Sequence, residues 1–111
     1  KILTLLNIHI NLYLRFHPTE ITAVCKAIAD KDFRESWVIF QPHTYSRTKN
    51  LLDEFARSLL GFDNIIVTDI YAAREQNNEN ISSVDLVKKI KEYGKDALYI
   101  KNLQTAVISV G

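Results

Sequence analysis

Trp37-Val38-Ile39-Phe40, followed at once by Gln41-Pro42, decides the fold. Four consecutive apolar residues with no polar alternate suit a strand covered on both faces, the central position in a sheet flanked by helices. Asn64-Ile65-Ile66-Val67-Thr68-Asp69 repeats the pattern, short and β-branched, and Ala97-Leu98-Tyr99-Ile100 gives a further strand. Upstream, Ile8, Ile10, Leu12, Leu14 and Phe16 alternate with Asn7, His9, Asn11, Tyr13 and Arg15. That alternation predicts a half-buried strand over Ile8 to Phe16, whose direction the sequence leaves open.

Helices fill the intervals. Pro18 suits a first helical turn, and Ile21, Val24, Cys25 and Ile28 follow at helical spacing to about Asp30. A second helix is expected from about Ser46 to Leu60, with Leu51, Leu52, Phe55 and Leu59 as its stripe and Gly61 as its left-handed closing residue. Beyond a polar loop over residues 70 to 82, Ser82 or Ser83 caps a third, which carries Leu86, Val87 and Ile90 and ends at Gly94. Asn102 suits the cap of a last helix, Leu103 to Val110, although that segment is also short enough for a strand. The alternation of strands and helices predicts an α/β fold, a three-layer, mainly parallel twisted sheet of about four to five strands with helices on both faces.

The 111 residues provide for one core rather than two, so residues 1–111 are read as a single domain. Hydrophobic residues make up 47% and charged residues 24%, which excludes a disordered or fibrous chain. Lys and Arg number 14 against 13 Asp and Glu, a net charge of +1 that gives no electrostatic reason to expect nucleic acid or a membrane surface as partner. Cys25 is the sole cysteine, so neither an intrachain disulfide nor a cysteine metal cage is available, which fits a reducing compartment. Asn7, His9, Asn11 and Arg15 interrupt the apolar start well short of the roughly 20 residues a membrane span needs, and a secretory signal pattern is lacking. The start at Lys1 rather than Met suggests a fragment or a processed product.

In open α/β sheets, ligands gather outside the carboxyl ends of the strands. The strand ending at Phe40 runs into Gln41-Pro42-His43-Thr44-Tyr45-Ser46-Arg47-Thr48-Lys49, and the next into Asp69-Ile70-Tyr71-Ala72-Ala73-Arg74-Glu75, so both polar segments share one edge. A helix starting near Ser46 would offer unpaired amides and the positive end of its dipole, and Arg47 a planar fork for a carboxylate or phosphate. An anion is expected there. The plain alternative is that Arg47 and Lys49 solvate a helix end while His43 packs at the strand terminus. His17 suits proton transfer or ligand binding, against a simpler role as the cap of the first helix. Asp69 suits a metal or ammonium group, against a turn partner. Arg74 and Glu75 read as a solvated loop pair, and Cys25 and Trp37 as packing. The three glycines form no phosphate loop, no Cys and His pair has zinc spacing, and no serine sits in a nucleophile elbow, so a complete active site is not expected within these residues.

Gln41-Pro42-His43-Thr44-Tyr45-Ser46-Arg47-Thr48 and Thr68-Asp69-Ile70-Tyr71-Ala72-Ala73-Arg74-Glu75, with His17-Pro18-Thr19-Glu20-Ile21 upstream and Ile81-Ser82-Ser83 downstream, closely resemble the carboxy-terminal domain of the UDP-N-acetylmuramate:L-alanine ligases of the Mur ligase family. The likeness covers roughly residues 17 to 101, and the Gln-Pro-His run is its most specific part. It implies a cytoplasmic, three-domain enzyme of peptidoglycan precursor synthesis. An amino-terminal domain would bind the UDP-sugar, a central domain ATP and Mg2+, and this Rossmann-like domain would close over them on the amino-acid side. The implied reaction activates the muramoyl carboxylate as an acyl phosphate, which the amine of L-alanine attacks. By resemblance, Arg47 pairs with the alanine carboxylate and His43 and Tyr45 shape the pocket. His17 faces the reacting centre as the catalytic candidate, and Asp69 and Tyr71 are candidate loop contributors. Neither a metal ligand nor a nucleotide-binding residue is assigned within the chain, and the isolated piece is expected to be inactive. The likeness departs before His17, where the family carries Asp-Tyr-Gly or Ala-His and this chain has Tyr13-Leu14-Arg15-Phe16. Family members also continue past the position of Ile108 through another strand, so the sheet is expected to be one strand short. A noncatalytic α/β ligand- or protein-interaction module is the alternative from another class.

Overall fold

The computed structural model describes residues 7–12, 17–30 and 35–110. In chain order the elements are β1 (Asn7–Leu12), α1 (Pro18–Ala29), β2 (Glu35–Phe40), α2 (Tyr45–Asn50), α3 (Leu52–Leu59), β3 (Asn64–Val67), α4 (Ser83–Glu92), β4 (Leu98–Tyr99) and α5 (Leu103–Val110). The described strands form one sheet in the order β1-β2-β3-β4, every neighbouring pair parallel. Register places Ile10 beside Val38, Val38 beside Ile65, and Val67 beside both Phe40 and Tyr99. The direction of β1, open in the sequence, is thus parallel; the part of that strand expected beyond Leu12, at residues 13–16, lies outside the described residues.

Strands added successively in one direction across a parallel sheet, by right-handed crossovers, place every connecting helix on the same face. Accordingly Ile21 of α1, Phe55, Ala56 and Leu59 of α3, and Leu86, Val87 and Ile90 of α4 join Val38, Phe40, Ile65 and Val67 in the main core. The intervening strand residues Ile39 and Ile66 face the other way, where Ala106 of α5 covers them with Leu103, Ile100 and Trp37 alongside. Helices therefore lie on both faces, α1, α3 and α4 on one and α5 on the other. Val38, Ile39 and Phe40 are all buried, as the unbroken apolar run requires.

Local chemistry sets the helix ends. Ser82 and Asp85 make a reciprocal capping box at α4. Asn102 accepts from the Thr105 amide at 2.8 Å, and the last segment is a helix rather than a strand. Gly94 closes α4 at φ 88°. The expected single helix over 46–60 is divided at Leu51, whose φ of −113° and ψ of 21° leave the helical region. Thr48 is the one fully buried residue of α2, against four in α3, so the packing that seats α3 does not extend along α2. The closing role expected of Gly61 is not observed, since it lacks a positive φ. What it provides is space: a β-carbon there would stand 2.2 Å from Cys25 Sγ on α1. Among the described residues, no helix is long and apolar enough to cross a membrane.

Candidate functional site

Beyond the ends of β2 and β3 the ladder continues through isolated backbone bonds. The Thr68 amide donates to the Phe40 carbonyl at 3.0 Å, that of Tyr71 to Pro42 at 2.9 Å, and that of Thr44 to Tyr71 at 2.7 Å. His43 and Tyr71 are consequently paired as a parallel bridge, with ring centroids 5.5 Å apart and tilted by 37°. The two polar segments that the sequence placed on one edge are joined there by main chain.

Thr44 caps α2 at φ 65° and ψ 148°, a conformation essentially restricted to glycine. Four hydrogen bonds hold it: its amide donates to the Tyr71 carbonyl, its Oγ1 accepts from the Arg47 amide at 3.3 Å, and its carbonyl accepts from the Thr48 amide at 3.2 Å and from Thr48 Oγ1 at 2.7 Å. Tyr45, the first residue of α2, and Arg47, two further on, are both half-buried.

The expectation of open amides at this helix start is corrected by Glu75. Its carboxylate accepts from the Ser46 amide at 3.0 Å and from the Ser46 hydroxyl. Donation from the Ser46 hydroxyl, reinforced by the Ser46 and Tyr45 amides, holds this carboxyl below the usual glutamate range. The helix carries no acid in its own first turn, and one from the following loop takes the place of an external anion. An incoming carboxylate at this rim must therefore be met by side chains. Glu75 is also not the solvated partner of Arg74 that its neighbourhood in sequence suggests. An open depression of about 440 Å³ beside it is lined by Tyr45, Ser46, Glu75, Gln76, Asn78 and Glu79.

Asp69 accepts a hydrogen bond from Tyr99 Oη, while its amide donates to the Lys101 carbonyl at 3.1 Å. That carboxylate pushes the Tyr99 phenol above its ordinary range. Asp69 thus ties the end of β3 to β4. No group of three or more His, Cys, Asp and Glu side chains among the described residues is placed to hold a metal ion. His17 takes the capping role: its Nδ1 accepts from the Thr19 amide at 3.1 Å, and its own amide donates to Glu20 Oε1 at 2.8 Å. With β1 parallel to β2, α1 also starts at the carboxyl edge of the sheet.

The structure thus brings His43 together with Tyr71, and Tyr45, Ser46 and Arg47 onto the adjoining helix turn, while Asp69 and His17 are engaged with their own neighbours. Sequence reasoning missed Glu75 and Tyr99 as partners. The one signal available for Glu75 in the sequence is a helix start, Ser46-Arg47-Thr48-Lys49, with no acid of its own.

No protein-family model matches the chain. Curated relatives do. The chain is 46% identical over 91 residues to a UDP-N-acetylmuramate–L-alanine ligase of Acetivibrio thermocellus, 52% over 91 residues to that of Caldanaerobacter subterraneus, and 43% over 93 residues to that of Koribacter versatilis. Each match covers 82 to 83% of this chain and 19 to 20% of the relative. The chain spans about one fifth of the length of the relatives it matches.

Proposed function

Starting from a chain related to the UDP-N-acetylmuramate–L-alanine ligases over four-fifths of its length, we propose that it forms the amino-acid side of the active site of such an enzyme. In this reading it is the carboxy-terminal domain of an ATP-dependent ligase that joins L-alanine to UDP-N-acetylmuramate in the cytoplasm. The observation that carries the reading is the His43–Tyr71 bridge, because it holds the segments around Gln41–Lys49 and Thr68–Glu75 as one surface at the carboxyl rim.

The ligand is a small zwitterion, and the rim offers both signs of charge. Arg47 pairs with the alanine carboxylate, a role for which its planar fork is suited. His43 and Tyr45 shape the pocket, with Tyr71 against His43. His17 stands at the start of the first helix, on the same edge of the sheet. The described residues offer neither a metal-ligand cluster nor a glycine-rich phosphate loop. The proposal leaves nucleotide and Mg2+ to other domains of the full-length enzyme, and no step through either is assigned to these residues.

The test is steady-state kinetics on the full-length polypeptide containing this chain, following ADP release with UDP-N-acetylmuramate while L-alanine is varied. Arg47→Ala is expected to raise KM for L-alanine roughly 30- to 150-fold, the equivalent of about 2–3 kcal/mol for a lost charge-assisted bond. Turnover that does not depend on L-alanine would sink the reading.

A further inference from the structure

Glu75 grips a part of the rim that the core does not hold. The helix α2 has six residues, and Thr48 alone among them is fully buried. The 70–82 segment contains no helix or strand. Backbone bonds pin that segment at Tyr71, after which Ala73 at φ 51° and Arg74 at φ 79° turn the chain back, with the Glu75 amide donating to Ala72 at 3.0 Å. Two consecutive left-handed residues other than glycine are costly and persist only where their surroundings fix them. The product of that turn is the arrival of the Glu75 carboxylate on the Ser46 amide and hydroxyl. Thr44, also at a positive φ, sits on the opposite side of the same contact, immediately before α2.

We propose that Glu75 is a positioning residue for the amino-acid pocket: by holding Ser46 it fixes the start of α2 against the loop and so sets where Tyr45 and Arg47 stand relative to His43 and Tyr71. The inference rests on the function proposed above. Glu75 does not touch the substrate carboxylate, which it would repel; it acts through the helix turn that bears the binding side chains. A loop acid serving only solubility would leave substrate affinity alone, and one serving only global stability would affect every substrate alike.

The experiment compares Glu75→Ala, Glu75→Gln and Ser46→Ala in the full-length protein, varying L-alanine and ATP separately, with amide hydrogen exchange on the same samples. Glu75→Ala is expected to raise KM for L-alanine roughly tenfold, as loss of preorganisation does, and to leave KM for ATP within about twofold. Glu75→Gln, which keeps an acceptor for the Ser46 amide, falls between, and Ser46→Ala follows Glu75→Ala in direction. Exchange quickens over residues 44–48 and 71–75 only. An unchanged KM for L-alanine, or an equal loss for both substrates, overturns the proposal. If the unmodified protein shows no L-alanine-dependent turnover, it is the function that fails; exchange then judges the grip alone, local quickening supporting it and unaltered rates in Glu75→Ala overturning it.

Discussion

Gly61, at the end of α3, lies so close to α1 that a β-carbon on it would stand 2.2 Å from the Sγ of Cys25, yet 3.7 Å from the Cys25 Cβ. The two helices thus meet over a missing side chain, and the half-buried thiol occupies the place that side chain would take. Gly61→Ala is expected to destabilise the chain by about 1–3 kcal/mol through overpacking. Adding Cys25→Ala should return most of that loss, because the remaining Cβ contact is an ordinary one. Chemical denaturation of the two single variants and the double variant measures the coupling; simple additivity would show that the close approach is not the cause.

Arg74 occupies the left-handed region at φ 79°, where an L side chain costs about 1–2 kcal/mol and glycine does not, while glycine loses about 0.5–1 kcal/mol through the freedom of the unfolded chain. Arg74→Gly is therefore expected to be neutral to stabilising by up to about 1 kcal/mol. A clear drop in the denaturation midpoint would mean that the Arg74 side chain contributes more than its backbone strain takes away.

The Glu75 carboxyl is held below the usual glutamate range, first by the Ser46 hydroxyl, then by the Ser46 and Tyr45 amides, with a smaller contribution from the charge of His43. Since the folded value lies below the unfolded one, the carboxylate contributes stability above the unfolded value, about 4.3, and that contribution is lost as pH falls through the folded value. The stability difference between the protein and Glu75→Gln should be constant above about pH 5 and shrink on further acidification. A difference that grows toward acid would contradict the hydrogen-bond assignment.

If Arg47 reads the substrate carboxylate, L-alaninamide should bind far less well than L-alanine, and Arg47→Ala should abolish most of that distinction by weakening L-alanine alone. Competition by the amide against L-alanine-dependent ADP release gives both numbers. Equal discrimination in the two proteins would place the carboxylate contact elsewhere.

The purified 111-residue chain should release no ADP with UDP-N-acetylmuramate, L-alanine and ATP, because the nucleotide and its metal are proposed to be held outside it. Appreciable turnover by the chain alone would overturn that division.

The elements were legible wherever their cause is local. The apolar runs at Trp37–Phe40 and Asn64–Val67 and the Pro18 start are each written within a few residues and form as expected, while the structure selects Ser82 over Ser83 as one cap and helix over strand after Asn102. The convergence of the two polar segments on one rim followed from strand direction alone. What stayed hidden depends on meetings between distant segments, which leave no periodic trace. Ser46 and Glu75 are 29 positions apart, Asp69 and Tyr99 are 30 apart, and the reason for Gly61 lies on another helix. The break at Leu51 escaped notice because its apolar stripe runs on unbroken through Leu51, Leu52 and Phe55.

The His43–Tyr71 bridge is made by main chain, as are the bonds from Thr44 to Tyr71 and from Tyr71 to Pro42. Scaffold and selectivity are thereby written in separate alphabets. Replacing the imidazole, phenol or guanidinium leaves those amide-to-carbonyl links standing, so an engineer can retune which small molecule this rim prefers without having to redesign the framework that presents it.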